Sequence, residues 1–481
     1  MAGNQAKGYE IKELSIQFGE SSNPDEEVTK KAFSSGEKYD IKQMCLGFQY
    51  FESIDSPFRR VDLHISDAVD MNKSLRGDEV IRIKLRSESA KPDGNDGFLE
   101  FAAKVFKIGN VSKRERAQVY TLHCVSPEMY NNEVNRVFKS FGGKGGSAAD
   151  VVKTCLDDYL LAGKKYQPDN IEDTSPIQFI SPSWRPLDVI AYTTDKITRS
   201  SGSGGGKGGK ASDKQSGFLF YENKFGYNYK SIDRIVEEGT NTKKPPEYTY
   251  YQSATSDEFT QNNYYTIESV QFPDKIDHIT QIRSGAYASM ASGVLLPEVT
   301  KSALTASGGG DDTSPQGTAI TPRGLTMTQV FEKATTVESE FPIPNSTPYM
   351  FKSDGTDEPR TSRQKFRILP SFKNQQQPTG DPSNGAPEAD LDTLGVSEYA
   401  MARFRLLTVI KLSIQIPGNT SLYAGQTIKV KIPAASVGEK KVKEDRIYSG
   451  RYVILGLTHE YSPEGVVTKL SLCRDSVRKD K

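Results

Sequence analysis

The glycine-rich stretch from Gly204 to Lys210 is the part of the chain whose residue types and spacing come closest to a chemical motif. Gly204, Gly206 and Gly209 have the spacing of a dinucleotide-binding turn, and Gly209 with Lys210 nearly completes a phosphate-binding loop. Both motifs need a buried strand before them and a helix after them, so that backbone N–H groups reach the phosphates. Here a helix is predicted before the stretch, and Ala211 stands where the Mg²⁺-binding hydroxyl is required. We therefore interpret the stretch as an exposed linker and predict no nucleotide site.

The four histidines are the next candidates for acid–base or metal chemistry. His64, His123 and His459 fall within predicted strands, and His278 stands alone elsewhere. None has a second His or a Cys at a metal-like spacing. Cys124 adjoins His123, but neighbouring residues of a strand point to opposite faces of the sheet. We therefore predict structural histidines and no metal site.

No other pattern selects a catalytic group. A Gly-x-Ser-x-Gly elbow, which would mark a serine nucleophile, does not occur. Glu10, Asp257 and Glu258 are among the carboxylates that can pair in space, as glycosidases require, but nothing in the sequence favours any two. The basic run Lys440–Lys443 is flanked by acidic residues, which is typical of a solvated loop rather than of a nucleic-acid site. We predict no catalytic, cofactor-binding or metal-ligating residue, no cofactor, and a protein that is not an enzyme.

Composition and charge narrow the class of protein. The chain has 481 residues, enough for several domains. Its 62 Lys and Arg residues balance 62 Asp and Glu residues, so net charge does not steer it toward nucleic acid or an anionic membrane. The first residues lack the apolar segment of a signal peptide, and no run approaches the ~20 apolar residues that cross a bilayer. We expect a soluble protein made in the cytosol, with its four scattered cysteines reduced in the core.

Alternation of apolar and polar residues predicts strands towards both ends of the chain. Residues 8–126 contain several such runs, for example Val61–Ile65 and Ile81–Leu85, and predict a small barrel or sandwich. Residues 405–481 alternate in the same way. We call these ranges the first and second β-modules. They give the predicted fold class, α+β and rich in β-structure.

In the first part of the segment between the two β-modules, apolar residues recur with the period of a helix. Within residues 127–216, Pro127 is expected to start one helix, Ser147 to cap a second, and a third begins near Pro186, preceded by Trp184 as an anchor. The first helix is predicted to have one apolar face, formed by Met129, Val134, Val137, Phe138 and Phe141. We expect a helical connecting region here.

An aromatic hairpin is predicted at residues 217–240. Phe218–Glu222 and Tyr227–Ser231 read as strands, and Asn223–Gly226 has the chemistry of a turn. We expect this hairpin to supply strands to the second β-module, with residues 241–404 as an inserted excursion. Polar stretches rich in Gly, Ser or Gln are expected to be exposed, flexible loops, at Ser200–Gly217, Thr305–Thr318 and Asn374–Pro387.

Several short motifs occur along the chain, and their order identifies a protein family more specifically than any one motif does. The motifs are, in chain order, Tyr50–Pro57 with Val61–Ala68, then Phe218–Glu222 with Phe225 and Tyr229–Ile232, then Tyr423–Gly425 with Ile428–Val430, then Ser449–Ile454 and Leu470–Ser476. In this order they resemble the central hub protein of the baseplate of contractile-tailed, T-even-like bacteriophages. The resemblance is spread over most of the chain and is weakest from about Gly239 to Ser397. The long polar inserts depart from it.

The resemblance implies a fold and an assembly. The fold would be two tail-tube-like β-barrel modules per subunit, with a helical connecting region and the inserted residues 241–404 as a clamp region. A homotrimer would then present six modules to a hexameric tail tube and three subunits to a trimeric central spike or needle.

The resemblance also implies a function, partners and a location. The function would be structural, in tail assembly and DNA ejection, with DNA passing transiently and non-specifically through the lumen of the ring. The partners would be the spike protein, the tail tube protein and baseplate wedge proteins, without membrane insertion. The protein would be made in the host cytoplasm and end in the tail baseplate of the virion.

Two alternative functions stay open. A receptor- or carbohydrate-binding tail protein would use exposed aromatic rings, although most Tyr and Phe residues here fall on strands where core packing uses them. A cell-wall hydrolase would need a converging acid–base pair, and the sequence selects none.

Overall fold

The described part of the chain is mainly β-structure with short helices. The computed structural model describes residues 8–18, 37–90, 97–113, 117–142, 146–163, 165–200, 215–250, 263–273, 278–284, 288–295, 319–326, 330–331, 333–339, 363–369, 393–434, 444–445 and 447–478. The fold class is α+β and β-rich, as the sequence predicts.

The strands in chain order are β1 (Tyr9–Gln17), β2 (Lys38–Asp40), β3 (Cys45–Ser53), β4 (Arg60–Asp67), β5 (Val80–Ser87), β6 (Leu99–Lys113), β7 (Gln118–Val125), β8 (Val137–Phe141), β9 (Phe179–Trp184), β10 (Phe218–Asn223), β11 (Gly226–Ser231), β12 (Glu247–Tyr250), β13 (Thr266–Ile267), β14 (Ser269–Gln271), β15 (Ala288–Leu295), β16 (Ala319–Thr326), β17 (Arg363–Leu369), β18 (Ile410–Pro417), β19 (Thr427–Lys431), β20 (Gly450–Ser462) and β21 (Gly465–Arg474). The α-helices are α1 (Glu128–Val134), α2 (Ala148–Thr154), α3 (Pro186–Thr193), α4 (Ile232–Asn241), α5 (His278–Ser284) and α6 (Thr393–Leu406). A π-helical turn, Cys155–Tyr159, continues α2.

One large sheet joins the two β-modules. It contains fourteen strands in the order β13-β12-β19-β20-β3-β4-β7-β6-β5-β1-β2, with β21, β18 and β14 added on the other edge of β20. Among the described strands this order is open and does not return on itself to form a closed barrel. Three smaller sheets, β10-β11, β8-β9 and β16-β15-β17, lie apart from it.

The alternation seen in the sequence decides which face of this sheet is buried. In β4, Val61, Leu63 and Ile65 are buried, while Arg60 and the polar residues between them face outward. Residues of both β-modules form a single apolar core on the inner face. Burying each large apolar side chain contributes about 1.5–3 kcal/mol, so this shared core stabilises both modules.

The aromatic hairpin forms as predicted but lies elsewhere. β10 pairs with β11 from Phe218 opposite Ser231 to Asn223 opposite Gly226, around the predicted turn. Contrary to the prediction, it pairs with no strand of the second β-module among the described residues and makes a separate two-stranded sheet. Its rings are buried on both faces: Tyr227 and Tyr229 pack in the core of the helical region, and Tyr221 packs on the opposite face in a separate apolar cluster. A ribbon with aromatic residues on both faces is stabilised by packing between two layers rather than at a sheet edge.

The second β-module instead completes its sheet from within residues 241–404. β12 runs parallel to β19, with Glu247 opposite Lys429, and β14 pairs antiparallel with β18. This range is therefore not wholly an insertion outside the module. The alternation of its strands is too short to be recognised in the sequence, since β13 and β14 have two and three residues.

The helical region is partly as predicted. Ser147 caps α2 through a capping box with Asp150, and α3 begins at Pro186. The predicted helix from Pro127 is too long, because α1 ends at Val134 and Val137–Phe141 is strand β8. We call residues 128–200 the helical unit.

Candidate functional site at the junction of the two β-modules

A single long strand of the second β-module, β20, pairs with strands of both β-modules. One of its edges pairs with β21 over most of its length. The opposite edge pairs first with β19, where Gly450–Val453 faces Val430–Thr427, and then with β3, where Gly456–Tyr461 faces Ser53–Phe48. Backbone hydrogen bonds therefore run without interruption from one module into the other.

The change of partner takes place at a bulge between Ile454 and Gly456. The Leu455 carbonyl accepts hydrogen bonds from the Ile54 N–H (2.9 Å) and from Ser53 Oγ (3.1 Å). A Cβ atom on Gly456 would lie only 3.3 Å from the Glu52 carbonyl oxygen, so the absence of a side chain allows β3 to approach closely. The crossing point is thus fixed by both backbone and side-chain bonds.

The outer face of the sheet at this junction forms a groove of about 700 Å³ between β14, β18, β21, β20 and β3. Small polar side chains make up much of its lining, and two aromatic, two basic and one acidic residue also line it: Ser53, Ser56, Ser269, Gln271, Ser413, Gln415, Thr458, Ser471, Phe51, Phe58, Arg60, Lys469 and Glu52. The groove can therefore donate and accept hydrogen bonds.

Charges of both signs offset each other on this face. Lys469 Nζ lies 2.8 Å from Glu460 Oε1, and His123 Nδ1 lies 2.8 Å from Asp62 Oδ1. Affinity for a polyanion grows with the number of phosphates that Lys and Arg neutralise. Lys469, whose charge is offset by Glu460, therefore adds little to the affinity of this face for a nucleic acid.

A buried ion pair fixes the hairpin to this junction. Arg59, next to β4, donates from Nη2 (2.8 Å) and Nε (2.9 Å) to Glu222 Oε1 of β10. Tyr50 Oη donates to Glu52 Oε1 (2.5 Å), and Glu52 Oε2 accepts from the Ala424 N–H (3.0 Å). The first β-module, the hairpin and the second β-module are therefore connected through one polar network.

Burial sets the charge states in this network. It raises the pKa of Glu52, and the attraction of Arg59 opposes that rise. Burial alone would lower the pKa of Arg59, but Glu222 and Tyr50 outweigh it and hold that pKa well above its usual value. Arg59 thus stays charged, and a buried charge that loses its partner is strongly destabilising.

A second buried network joins four distant segments. Arg403 of α6 donates to Asp233 Oδ1 of α4 (3.1 Å) and to Asp475 Oδ2 after β21 (2.6 Å). Tyr399 Oη donates to Asp233 Oδ2 (3.0 Å), and the Val337 N–H donates to Asp475 Oδ1 (3.0 Å). Both ion pairs are fully buried.

A third network ties the helical unit to the hairpin. Arg199 lies 2.5 Å from Glu172 and 2.9 Å from Glu237. Glu172 Oε2 also accepts from the Ser231 N–H (2.7 Å), the residue that caps α4. Burial raises the pKa of Glu172, and Arg199 opposes that rise.

Three histidines lie in strands, as predicted. His123 pairs with Asp62, and His64 Nδ1 lies 3.1 Å from Thr121 Oγ1. His459 is buried in β20, with Nδ1 2.9 Å from Thr468 Oγ1, and burial lowers its pKa to about 3. Within the described ranges, no group of three or more His, Cys, Asp or Glu side chains could hold a metal ion.

The remaining candidate residues from the sequence analysis do not come together in one site among the described residues. The cysteines are unpaired and buried, at Cys45, Cys124, Cys155 and Cys473. Glu10 is an exposed partner of Arg86 at 2.7 Å. Several candidates lie outside the described residues: Gly204–Lys210, Asp257, Glu258, Lys440–Lys443, the polar stretches at 305–318 and 374–387, and the side chain of His278. No helix in the described ranges is long and apolar enough to cross a membrane.

Sequence reasoning did not find the buried networks. Arg59 and Glu222 are 163 residues apart, and Arg403 and Asp233 are 170 apart, so no local spacing connects them. The one usable signal is Glu222 itself, an acidic residue among aromatic residues on a strand. A carboxylate is almost never fully buried unless it is paired, so a buried cationic partner follows from that context.

Three solved structures are similar to the chain over nearly its whole length. The tail protein from Neisseria meningitidis MC58 is 10% identical with a TM-score of 0.49, covering 97% of each chain. The 43 kDa tail protein of prophage MuSo2 from Shewanella oneidensis is 8% identical with a TM-score of 0.45, covering 97% of this chain and 98% of that one. The prophage tail protein gp18 from Listeria monocytogenes EGD-e is 9% identical with a TM-score of 0.41, covering 95% and 94%. No protein-family model and no curated protein matches the chain.

Proposed function

We propose that this chain is the structural hub of a contractile phage-tail baseplate. Three copies form a ring that adapts the hexameric tail tube to the trimeric central spike and leaves a lumen for DNA. The observation that carries the proposal is the strand β20, which joins two β-modules of one chain into a continuous sheet. The order of the sequence motifs described above supports it independently.

Symmetry explains why one subunit would carry two joined β-modules. A ring of three such subunits presents six modules, which match six tube subunits on one side, while threefold symmetry matches a spike on the other. To match six tube subunits, the two β-modules of each chain must keep a fixed position and orientation relative to each other. The uninterrupted backbone pairing through β20 and the shared apolar core supply that rigidity.

The outer face of the sheet supports the proposal of a DNA passage. Many Ser, Thr and Gln side chains line its groove beside Arg60, and Lys469 is paired with Glu460. Tight binding to phosphates would hold DNA in the lumen and oppose its passage. We place this face toward the lumen, with the helical unit and the hairpin on the outside as a brace.

The test is the mass of the purified protein in solution, by light scattering, alone and mixed with the spike protein from the same source. The expected result is a trimer, three times 53.2 kDa, either alone or on addition of the spike. A protein that stays monomeric at high concentration and does not bind the spike protein would contradict the hub function. It would favour a receptor- or carbohydrate-binding tail protein.

A further inference from the structure

A polar pocket lies where the aromatic hairpin, α4, the helical unit and the second β-module meet. Its volume is about 390 Å³, within the range of about 300–1,000 Å³ that small-molecule sites occupy at such boundaries. Apart from two glycines and a proline, its lining consists of five side-chain amides, three aromatic rings, two threonines and one pair of opposite charges. We call it the amide pocket, after Gln167, Asn170, Asn223, Asn228 and Gln426.

One face of the hairpin lines the amide pocket. Neighbouring residues of a strand point to opposite faces, and Tyr221 pairs with Asn228 across the hairpin. Asn223 and Lys230 lie on the same face as this pair, and all four line the pocket. The other face carries Tyr229, which packs in the core of the helical region. The alternation along the hairpin thus separates a pocket face from a core face.

The hydroxyl of Tyr221 is buried at the amide pocket and has no hydrogen-bond partner among the described residues. Tyr221 is 2% exposed, and a Cβ atom on Gly425, which also lines the pocket, would lie only 2.7 Å from Tyr221 Oη. By contrast, Tyr229 Oη lies 2.7 Å from Thr193 Oγ1. Burial raises the pKa of Tyr221, so its hydroxyl stays protonated and can donate as well as accept. Because buried polar groups are almost always hydrogen-bonded, the unused hydroxyl points to a ligand.

Two amides of the pocket keep hydrogen-bonding groups for a ligand. Asn228 is 2% exposed, and its Nδ2 donates to the Gly226 carbonyl (2.9 Å), which leaves its second N–H and its Oδ1 unused by the described residues. Gln426 Oε1 accepts from the Tyr423 N–H (3.3 Å), which leaves both of its own N–H groups. An amide has two donors and one acceptor oxygen, and a hydroxyl donates once and accepts. One amide can therefore bond two neighbouring hydroxyls of a ligand.

The charges of the amide pocket offset each other. Lys230 Nζ lies 2.9 Å from Glu238 Oε2, and the other oxygen of Glu238 accepts from Arg234 Nε at 2.8 Å. Outside the lining, Lys224 Nζ lies over the ring of Phe225, 4.8 Å from its centroid. The lining itself therefore has one cation and one anion, without the excess of one sign that concentrates ions of the opposite sign. This balance favours a ligand that is polar and uncharged.

An exposed aromatic ring stands at the amide pocket. Phe225, in the hairpin turn, is 48% exposed and meets Tyr423 edge to face, with ring centroids 5.0 Å apart. Its N–H donates to Asn223 Oδ1 (3.0 Å), which fixes the turn. An aromatic ring offers a broad apolar surface that can stand beside polar groups. A sugar likewise has an apolar face of C–H groups and a rim of hydroxyls, so the ring and the amides match both of its parts.

We propose that the amide pocket binds a neutral saccharide of one or two sugar units. A sugar ring packs against Phe225, and its hydroxyls bond to Tyr221 Oη and to the unused groups of Asn228 and Gln426. Every lining residue belongs to one chain, so the site depends neither on the ring of subunits nor on the proposed hub function. It adds a binding activity to that function.

The first experiment is saturation-transfer NMR on the whole chain. The probes are glucose, galactose, N-acetylglucosamine and maltose, with glucuronate as an anionic comparison. We expect transfer to at least one neutral sugar and a Kd on the order of 1 mM, consistent with the binding energy that so few atoms supply. Absence of transfer to every neutral sugar would overturn the proposal. Tighter binding of glucuronate than of any neutral sugar would also overturn it, because the pocket would then select anions.

Two tyrosines of the hairpin provide matched variants. Tyr221→Phe should raise the Kd about tenfold, because it removes a hydrogen bond to the sugar. It should leave the urea midpoint unchanged or higher, because no described residue loses a partner. Tyr229→Phe breaks the bond to Thr193, so it should lower the urea midpoint and leave the Kd unchanged. If Tyr221→Phe lowered the midpoint without changing the Kd, its hydroxyl would be structural and the proposal would be wrong.

The ring of Phe225 has a control in Phe106, which is 47% exposed on the first β-module. Phe225→Ala should raise the Kd at least about tenfold, because the apolar contact with the sugar is lost, whereas Phe106→Ala should leave the Kd unchanged. Light scattering separates this site from the assembly, since both variants should keep the mass of the native protein. A Phe225→Ala variant that loses the trimer but binds sugar as the native protein does would assign this ring to a contact between copies and contradict the proposal. Sugar binding by a persistent monomer would support the site and contradict only the hub.

Discussion

The large sheet and the aromatic hairpin differ in the kinds of interaction that hold them in place. The sheet depends on backbone hydrogen bonds and on one apolar core shared by both β-modules. The hairpin and the C-terminal segment add buried ion pairs to their apolar packing: Arg59 pairs with Glu222, and Arg403 pairs with Asp233 and Asp475. In a sheet of this kind many residues each contribute a small part of the stability. In a buried ion pair two residues contribute a large part of the stability, because the loss of one partner leaves the other charged and desolvated.

The largest effect is expected from Arg403→Met. The substitution keeps much of the side-chain volume but leaves Asp233 and Asp475 buried without their cation. We expect a loss of about 3–5 kcal/mol in the free energy of unfolding, measured by urea denaturation. The control is Lys469→Met, whose pair with Glu460 is half exposed and should cost less than ~1 kcal/mol. Similar losses for both variants would remove the distinction between the two regions.

A smaller effect is expected from Glu222→Gln. The amide keeps the shape of the side chain but removes the charge that faces Arg59. Because hydrogen bonds to charged groups contribute about 1.5–3 kcal/mol, we expect a loss in that range. The matched variant Glu238→Gln breaks pairs with Lys230 and Arg234 at a partly exposed carboxylate and should change stability by less than ~1 kcal/mol.

These results show what a sequence can predict in this molecule. The strand at Val61–Ile65 and the capped helix at Ser147 depend on neighbours within a few residues, and they were predicted. The place of the hairpin and the strand at Val137–Phe141 depend on which surfaces cover them, and the predictions were wrong. The buried networks join residues more than 100 positions apart, so local periodicity carries no information about them.

The pH dependence of the free energy of unfolding tests the role of His459 at the junction of the two β-modules. His459 is buried in β20, and burial lowers its pKa from 6.5 to about 3. A histidine whose folded pKa is lowered contributes stability above its unfolded pKa, and this contribution is lost as the pH falls from about 6.5 towards 3. The urea midpoint of the native protein should therefore fall over this window, and His459→Gln should make the fall shallower. An unchanged slope in the variant would show that His459 does not limit stability in acid.

The smallest effect on folding is expected on the outer face of the sheet. Ser413→Arg and Ser471→Arg add two cations to the groove, at positions that lie directly opposite each other on β18 and β21. Because like charges directly opposite each other repel, we expect a loss of up to about 1 kcal/mol in the free energy of unfolding. Binding of a short DNA duplex should become detectable at low salt and weaken steeply with added salt. If the doubly substituted ring bound DNA no better than the native ring, this face would not be the one that DNA meets.

The most direct test of the central claim is an electron cryomicroscopy map of the assembled ring. The account predicts threefold symmetry with six β-modules around an open lumen, and the face that carries Ser413, Thr458 and Ser471 turned toward that lumen. A ring in which this face points outward, or an assembly in which the two β-modules of one chain do not both line the lumen, would contradict it.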